Sequence, residues 1–113
     1  RVLIEFFITW AVILCERQRE WYLPYLEYET ALLMFEKQEY DLALTHVQET
    51  INNYSGELDV ILGFAYLLQG KIKDLTGDRA GAKSSYRSCL NLDNFSSAMS
   101  SANQYLNRPF FVP

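Results

Sequence analysis

The sequence predicts an all-α chain of stacked antiparallel helical hairpins, and three observations lead there. Prolines are confined to Pro24, Pro109 and Pro113, so a long central stretch carries no breaker. No segment alternates cleanly between polar and apolar residues, and no Asn-Gly or Asp-Gly pair marks a tight β-hairpin. Apolar residues instead recur at spacings of three and four, the mark of one buried helix face. With 113 residues, half of them hydrophobic, 15% aromatic and 21% charged, the chain has the balance of one folded domain.

The elements follow in order. Residues 1–20 form a leading helix, apolar first and charged at its end in Glu16-Arg17-Gln18-Arg19-Glu20. Pro24 suits the first turn of a second helix, where its missing N–H costs nothing, and that helix runs to Lys37. A break near Gln38-Glu39 precedes a third helix over Tyr40 to Asn53, in which Ala43, Val47, Thr50 and Ile51 make a buried stripe. Asn52-Asn53-Tyr54-Ser55-Gly56 has the composition of a loop. A fourth helix spans Glu57 to Leu75 and ends before Gly77, a residue suited to left-handed termination. A fifth covers Arg79 to Leu92 with Ala82, Tyr86, Cys89 and Leu90 inside. A sixth, over residues 95–108, carries Phe95, Met99, Ala102, Tyr105 and Leu106 and is stopped by Pro109. The tail from Phe110 to Pro113 is too short for an element of its own.

Two segments align at a spacing of 39 residues: Ala31 with Gly70, Ala43 with Ala82, Val47 with Tyr86, Thr50 with Cys89 and Ile51 with Leu90. Small residues at Ala31 and Gly70 allow close approach within a hairpin. Ala43 or Ala82 faces them at the crossing, and Val47 or Tyr86 fills the gap one turn later. With Gly70, Gly77, Ala82, Tyr86, Cys89, Leu90 and Asn94, the second copy resembles the tetratricopeptide repeat; residues 24–55 are similar to a weaker copy. The resemblance implies a single helical-repeat domain: a leading helix, repeat 1 over 24–55, repeat 2 over 57–94 and a capping helix over 95–108. The pattern departs from the family in its spacing, longer than the usual 34. It departs also at Glu27 and Lys73, where large or aromatic residues are common, and at Ser55 and Asn94, where a proline usually stands.

The resemblance also implies a function. In such repeats the first helix of each hairpin lines a concave surface, which places Tyr25, Tyr28, Leu32 and Phe35 beside Phe64, Leu67, Lys71 and Asp74. A groove so lined suits an extended or helical peptide, with Lys71 engaging an acidic group. Tyr28 and Leu67 stand where the carboxylate clamp of chaperone-binding members carries polar residues, so chaperone tails are not the expected ligand. The expected function is a scaffold or adaptor that binds a protein or peptide partner. The alternative is a structural or oligomerisation domain of a larger protein, with the same residues packed against neighbouring helices.

Charge and chemistry agree with a binding role. The net charge of −4 and pI near 4.9 lack the basic excess of a nucleic-acid module. The charge is divided, with −7 over residues 21–60 and +3 over 61–113, which favours a dipolar partner or end-to-end complementarity. One histidine, His46, and two distant cysteines, Cys15 and Cys89, are too few for a usual zinc site, and no cofactor motif stands out. His46 borders the buried stripe and is expected to be structural or exposed; Glu27 with Glu29, or Glu36 with Glu39, could be offered as acid–base pairs, but Glu36 and Glu39 share a helix end, where solvated acids are the ordinary case. Gly77 to Ser84 faintly echoes a phosphate loop but fails its glycine spacing and follows no strand. No catalysis is expected.

The apolar run from Val2 to Cys15 would rise about 21 Å as a helix, short of the ~30 Å hydrocarbon core of a bilayer. Glu5 lies inside it and charges follow it, against a signal peptide. Membrane association is therefore not expected. Two cysteines make no disulfide framework, so both are expected reduced, as in a cytoplasmic protein. The start at Arg1 suggests a fragment or processed product. A helix apolar on every side needs cover on every side, so residues 2–15 are expected to meet upstream repeats or a second copy.

Overall fold

The computed structural model describes residues 2–17, 19–53, 59–92 and 96–112, and among them it is helical with no strand. Six helices follow in order: α1 (Val2–Arg17), α2 (Arg19–Glu36), α3 (Tyr40–Asn52), α4 (Asp59–Leu75), α5 (Arg79–Leu90) and α6 (Ser97–Asn107). Helices α2 and α3 form one antiparallel hairpin and α4 and α5 a second. Helix α4 packs on both helices of the first hairpin, and α6 packs in the same way on α5 and α4. The expected Tyr54–Glu57 stretch and residues 93–95, Phe95 included, lie outside the described residues.

Two clusters hold the hairpins together, one on each side of α4. Ala31, Ala43, Val47, Ala65, Leu68 and Ile72 join α2, α3 and α4. Leu67, Ala82, Tyr86, Cys89, Ala98 and Ala102 join α4, α5 and α6. The alanines of both clusters are fully buried. A methyl group added at Gly70 would fall 2.3 Å from the Tyr86 ring, so that ring lies directly on the glycine backbone.

The two hairpin turns share one geometry. In the first, Gln38 N–H donates to the Phe35 carbonyl at 3.0 Å and Glu39 N–H to the Met34 carbonyl at 2.9 Å. In the second, Gly77 N–H donates to the Asp74 carbonyl at 3.4 Å and Asp78 N–H to the Lys73 carbonyl at 2.8 Å. This paired closure satisfies the last carbonyls of a helix through a left-handed residue, and the residues there are Gln38 at φ 63° and Gly77 at φ 91°. Between the hairpins, the buried Gln69 amide donates to Gln48 Oε1 of α3 at 2.9 Å and accepts from Ser85 Oγ of α5 at 2.8 Å.

The N-terminal third corrects the expectation. Gln18 lies outside the described residues; α2 already includes Arg19, so the buried Pro24 lies inside α2 instead of opening it. Residues 16–23 contain no glycine or capping serine to stop a helix, and one proline in the second turn removes a single backbone bond. Among the described residues, helix α1 meets the other helices only at α2. The molecule is accordingly elongated, 59 × 31 × 20 Å, with a radius of gyration of 16.6 Å against about 13 Å for a compact chain of this length. Leu3, Ile4, Phe6, Phe7, Ile8 and Trp10 are all more than half exposed. No helix among the described residues is long and apolar enough to cross a membrane.

Candidate functional site

Helices α2 and α4 lie side by side and run the same way: Tyr28 faces Phe64 with ring centroids 6.5 Å apart, and a helical stretch further on Phe35 and Lys71 share a neighbour in Phe110. The face between them divides into three parts. At the N-terminal end Tyr25, Tyr28, Glu29, Val60, Ile61 and Phe64 line an open depression of about 330 Å³. Tyr25 and Val60 are about half exposed there. Burial, with the charge of Glu29 and the neighbouring Tyr25 adding to it, pushes the Tyr28 phenol up to about 12. It therefore keeps its proton at neutral pH, and its hydroxyl makes no hydrogen bond among the described residues.

The middle of the face is core. Leu32 is half-buried against the first cluster and Leu67 is 6% exposed inside the second. Leu67 was expected on the concave surface and is not available there, because α4 is covered on both sides and position 67 points toward α5 and α6.

The C-terminal end is closed by the chain itself. Asp74 is its centre: the carboxylate is 1% exposed and accepts from Arg79 Nη1 at 3.0 Å through both oxygens, from the Tyr86 hydroxyl at 2.7 Å and from the Phe110 N–H at 2.9 Å. Arg79 also donates to the Leu106 carbonyl at 2.9 Å, tying in the end of α6. Burial first, then the bond to Asp74 and its charge, raise the Tyr86 phenol far above its ordinary range. Lys71 is half-buried, which lowers its pKa, and its Nζ lies 5.0 Å from the Phe110 ring centre and 5.6 Å from that of Tyr105. Phe110 packs edge-on to Tyr105 at 5.2 Å and beside Phe35 at 6.2 Å.

The eight expected residues thus separate. Tyr25, Tyr28 and Phe64 form the open depression; Phe35, Lys71 and Asp74 gather under Phe110; Leu32 and Leu67 pack inward. Lys71 lies over the rings of Phe110 and Tyr105, and Asp74 is occupied by intramolecular donors. Phe110, Tyr105 and Arg79 were missed. The available signal was Pro109-Phe110-Phe111, because two aromatic residues following the stop of the last helix are costly to leave in water.

The other candidates have structural surroundings. His46 Nδ1 lies 2.8 Å from Glu27 Oε2, linking α3 to α2 on a partly exposed face. Cys89 is a buried free thiol whose pKa burial raises, unlike the activated thiolates of redox or nucleophilic sites. At the start of α5, where the phosphate-loop echo falls, the Asp78 carboxylate itself accepts the Gly81 N–H at 3.0 Å. Among the described residues no three His, Cys, Asp or Glu side chains are grouped to hold a metal ion.

Comparison of the chain with protein-family models, with curated proteins and with solved structures finds no match.

Proposed function

We propose that this chain is a protein–protein interaction module of the tetratricopeptide-like kind, a cytoplasmic scaffold that takes a peptide or partner helix on the face between α2 and α4. The observation that carries the proposal is the open depression of Tyr25, Tyr28, Val60, Ile61 and Phe64. Aromatic and aliphatic side chains stay partly exposed there, beside a face otherwise buried, and such concave apolar sites with few polar groups are where ligands bind. The acidic character of residues 21–60 around it favours a partner with basic flanks.

Tyr25 and Val60 are exposed enough to change without emptying the core. Peptides selected from a display library on the wild-type chain are expected to bind about tenfold or more weaker to Tyr25→Glu with Val60→Glu, circular dichroism showing unchanged helicity. Equal binding by both chains would reject the depression as the site.

Helix α1 favours a second reading, an assembly domain. Six large apolar side chains more than half exposed on one 16-residue helix are more than an isolated chain tolerates. On that reading the wild type self-associates in sedimentation equilibrium, and Phe6→Glu with Trp10→Glu returns it to a monomer without touching the depression.

A further inference from the structure

We infer that Phe35, Lys71, Asp74 and Tyr105 form a recognition pocket for an aromatic residue in an extended peptide, and that Phe110 occupies it in cis as a built-in competitor. The inference rests on the reading of the α2–α4 face as a peptide site, and it names the class of segment which that face takes.

The tail binds as a ligand binds. After α6 the chain leaves the helix at Arg108, with φ −133° and ψ 130°, the extended conformation that a following proline imposes. Pro109, Phe111 and Val112 are exposed, so Phe110 alone anchors the segment. It does so with two features any aromatic residue of an extended chain offers: a ring, over which Lys71 lies and beside which Phe35 and Tyr105 pack, and its own backbone N–H, given to Asp74. Three helices supply the pocket.

The pocket is also complete without its occupant. With Phe110 removed, Asp74 keeps both bonds from Arg79 and the bond from Tyr86, and Lys71 keeps the Tyr105 ring. No buried charge is stranded, so release costs one hydrogen bond and the ring contacts, which is the energetics of a displaceable ligand.

The spacing extends the specificity. Tyr28 and Phe35 are seven positions apart on α2, about 10 Å, which an extended peptide covers in about three residues. A segment with an aromatic residue in the pocket therefore reaches the open depression with an apolar side chain three or four positions away. A tether as short as this tail presents its own ring at an effective concentration of about millimolar or above, so a partner must outcompete it.

The test uses the full chain and a synthetic peptide of residues 107–113. Followed by amide chemical-shift titration, the peptide is expected to bind Phe110→Ala about tenfold or more tighter than the wild type, whose pocket is filled. Alanine in the peptide at the position of Phe110 should abolish binding, and Lys71→Ala added to Phe110→Ala should weaken it. Equal binding to wild type and Phe110→Ala, or none to a Phe110→Ala chain of unchanged helicity, would overturn the inference. So would loss of the fold in Phe110→Ala, which would make the tail core. The two proposals fail separately: peptide capture by Phe110→Ala without display-selected ligands at Tyr25 and Val60 rejects the depression as the site and keeps the pocket, and the converse sinks the pocket alone.

Discussion

Hairpins α2–α3 and α4–α5 turn with the same hydrogen bonds, yet nearly every residue that makes the turn differs. The first uses Gln38 in the left-handed region and has Glu39 at the start of α3 with no side-chain cap; the second uses Gly77 and caps α5 with Asp78. The first buries Ala31 and Val47 in one cluster, and the second lays the Tyr86 ring directly on Gly70. The second hairpin also carries the buried Asp74 carboxylate paired with Arg79, where the first has Phe35 at the position of Asp74. One backbone geometry is thus reached by an apolar solution with imperfect local signals and by a tighter, partly polar one whose local signals all agree. Agreement between local preference and fold is what makes a segment specify one structure, so the second hairpin should be the more sensitive to substitution and the first the easier to improve.

The largest effect is expected at the crossing. Gly70→Ala gains about 1 kcal/mol of helix propensity but drives a methyl group into the Tyr86 ring, for a net loss of about 2 kcal/mol. In a double-mutant cycle by urea denaturation, Tyr86→Val, which imitates the first hairpin, should relieve about 1–2 kcal/mol of that loss. Additive losses would mean that the contact does not set the helix spacing. The mirror change, Ala31→Gly, should cost only about 1 kcal/mol.

Next comes the Tyr86 hydroxyl. Tyr86→Phe takes one donor from Asp74 and should lower stability by about 1–1.5 kcal/mol at neutral pH. The pH dependence carries the sign. Phenols ionise near 10 in an unfolded chain, and both Tyr86 and Tyr28 hold their protons more tightly when folded. Their contribution is complete below about pH 10 and is lost as pH rises, toward about 12 for Tyr28 and beyond for Tyr86. Lys71, lowered by burial, works in the opposite sense as pH approaches its ordinary value. Guanidinium titrations from pH 9 to 11.5 should show a shallower alkaline decline in Tyr86→Phe than in the wild type.

The turns give a smaller, opposed pair. Gly77→Ala places a β-carbon at positive φ and should cost about 1 kcal/mol, whereas Gln38→Gly should gain about 0.5–1 kcal/mol by relieving the same strain. Opposite shifts in thermal midpoint are the expected result; two losses would mean that the Gln38 side chain contributes contacts of its own. Smallest is the cap: Asp78→Ala should lose about 1 kcal/mol, and Glu39→Asp, which shortens a side chain that makes no capping bond, should gain about 0.5 kcal/mol.

What the sequence made legible follows the same division. Helices α3 to α5 could be bounded to within a few residues because their stripes, the Gly77 stop and the small crossing residues are local signals. The start of α2 ahead of Pro24 was not legible, since the one visible signal, Pro24, is tolerated inside a helix. Three of the eight expected residues, Tyr25, Tyr28 and Phe64, meet around one depression. The placement of the rest has a physical reason. Whether Lys71 and Asp74 face solvent depends on what covers them, and their cover, Arg79, Tyr86, Tyr105 and Phe110, comes from positions with no common period. A carboxylate with three kinds of donor is a tertiary fact.

Gln69 has a consequence for how the two hairpins find each other. Its amide gives a hydrogen to Gln48 and takes one from Ser85, so it is satisfied at only one height of α4 between its neighbours. Apolar surfaces slide past each other at little cost, but a one-turn slip of α4 would bring Ala65 or Lys73 to this level and strand either an amide or a hydroxyl away from water. The amide therefore acts as an alignment pin. Hydrophobic burial drives the hairpins together, and Gln69 picks the single notch at which they lock, which in turn fixes Tyr28 opposite Phe64 and Lys71 beneath Phe110.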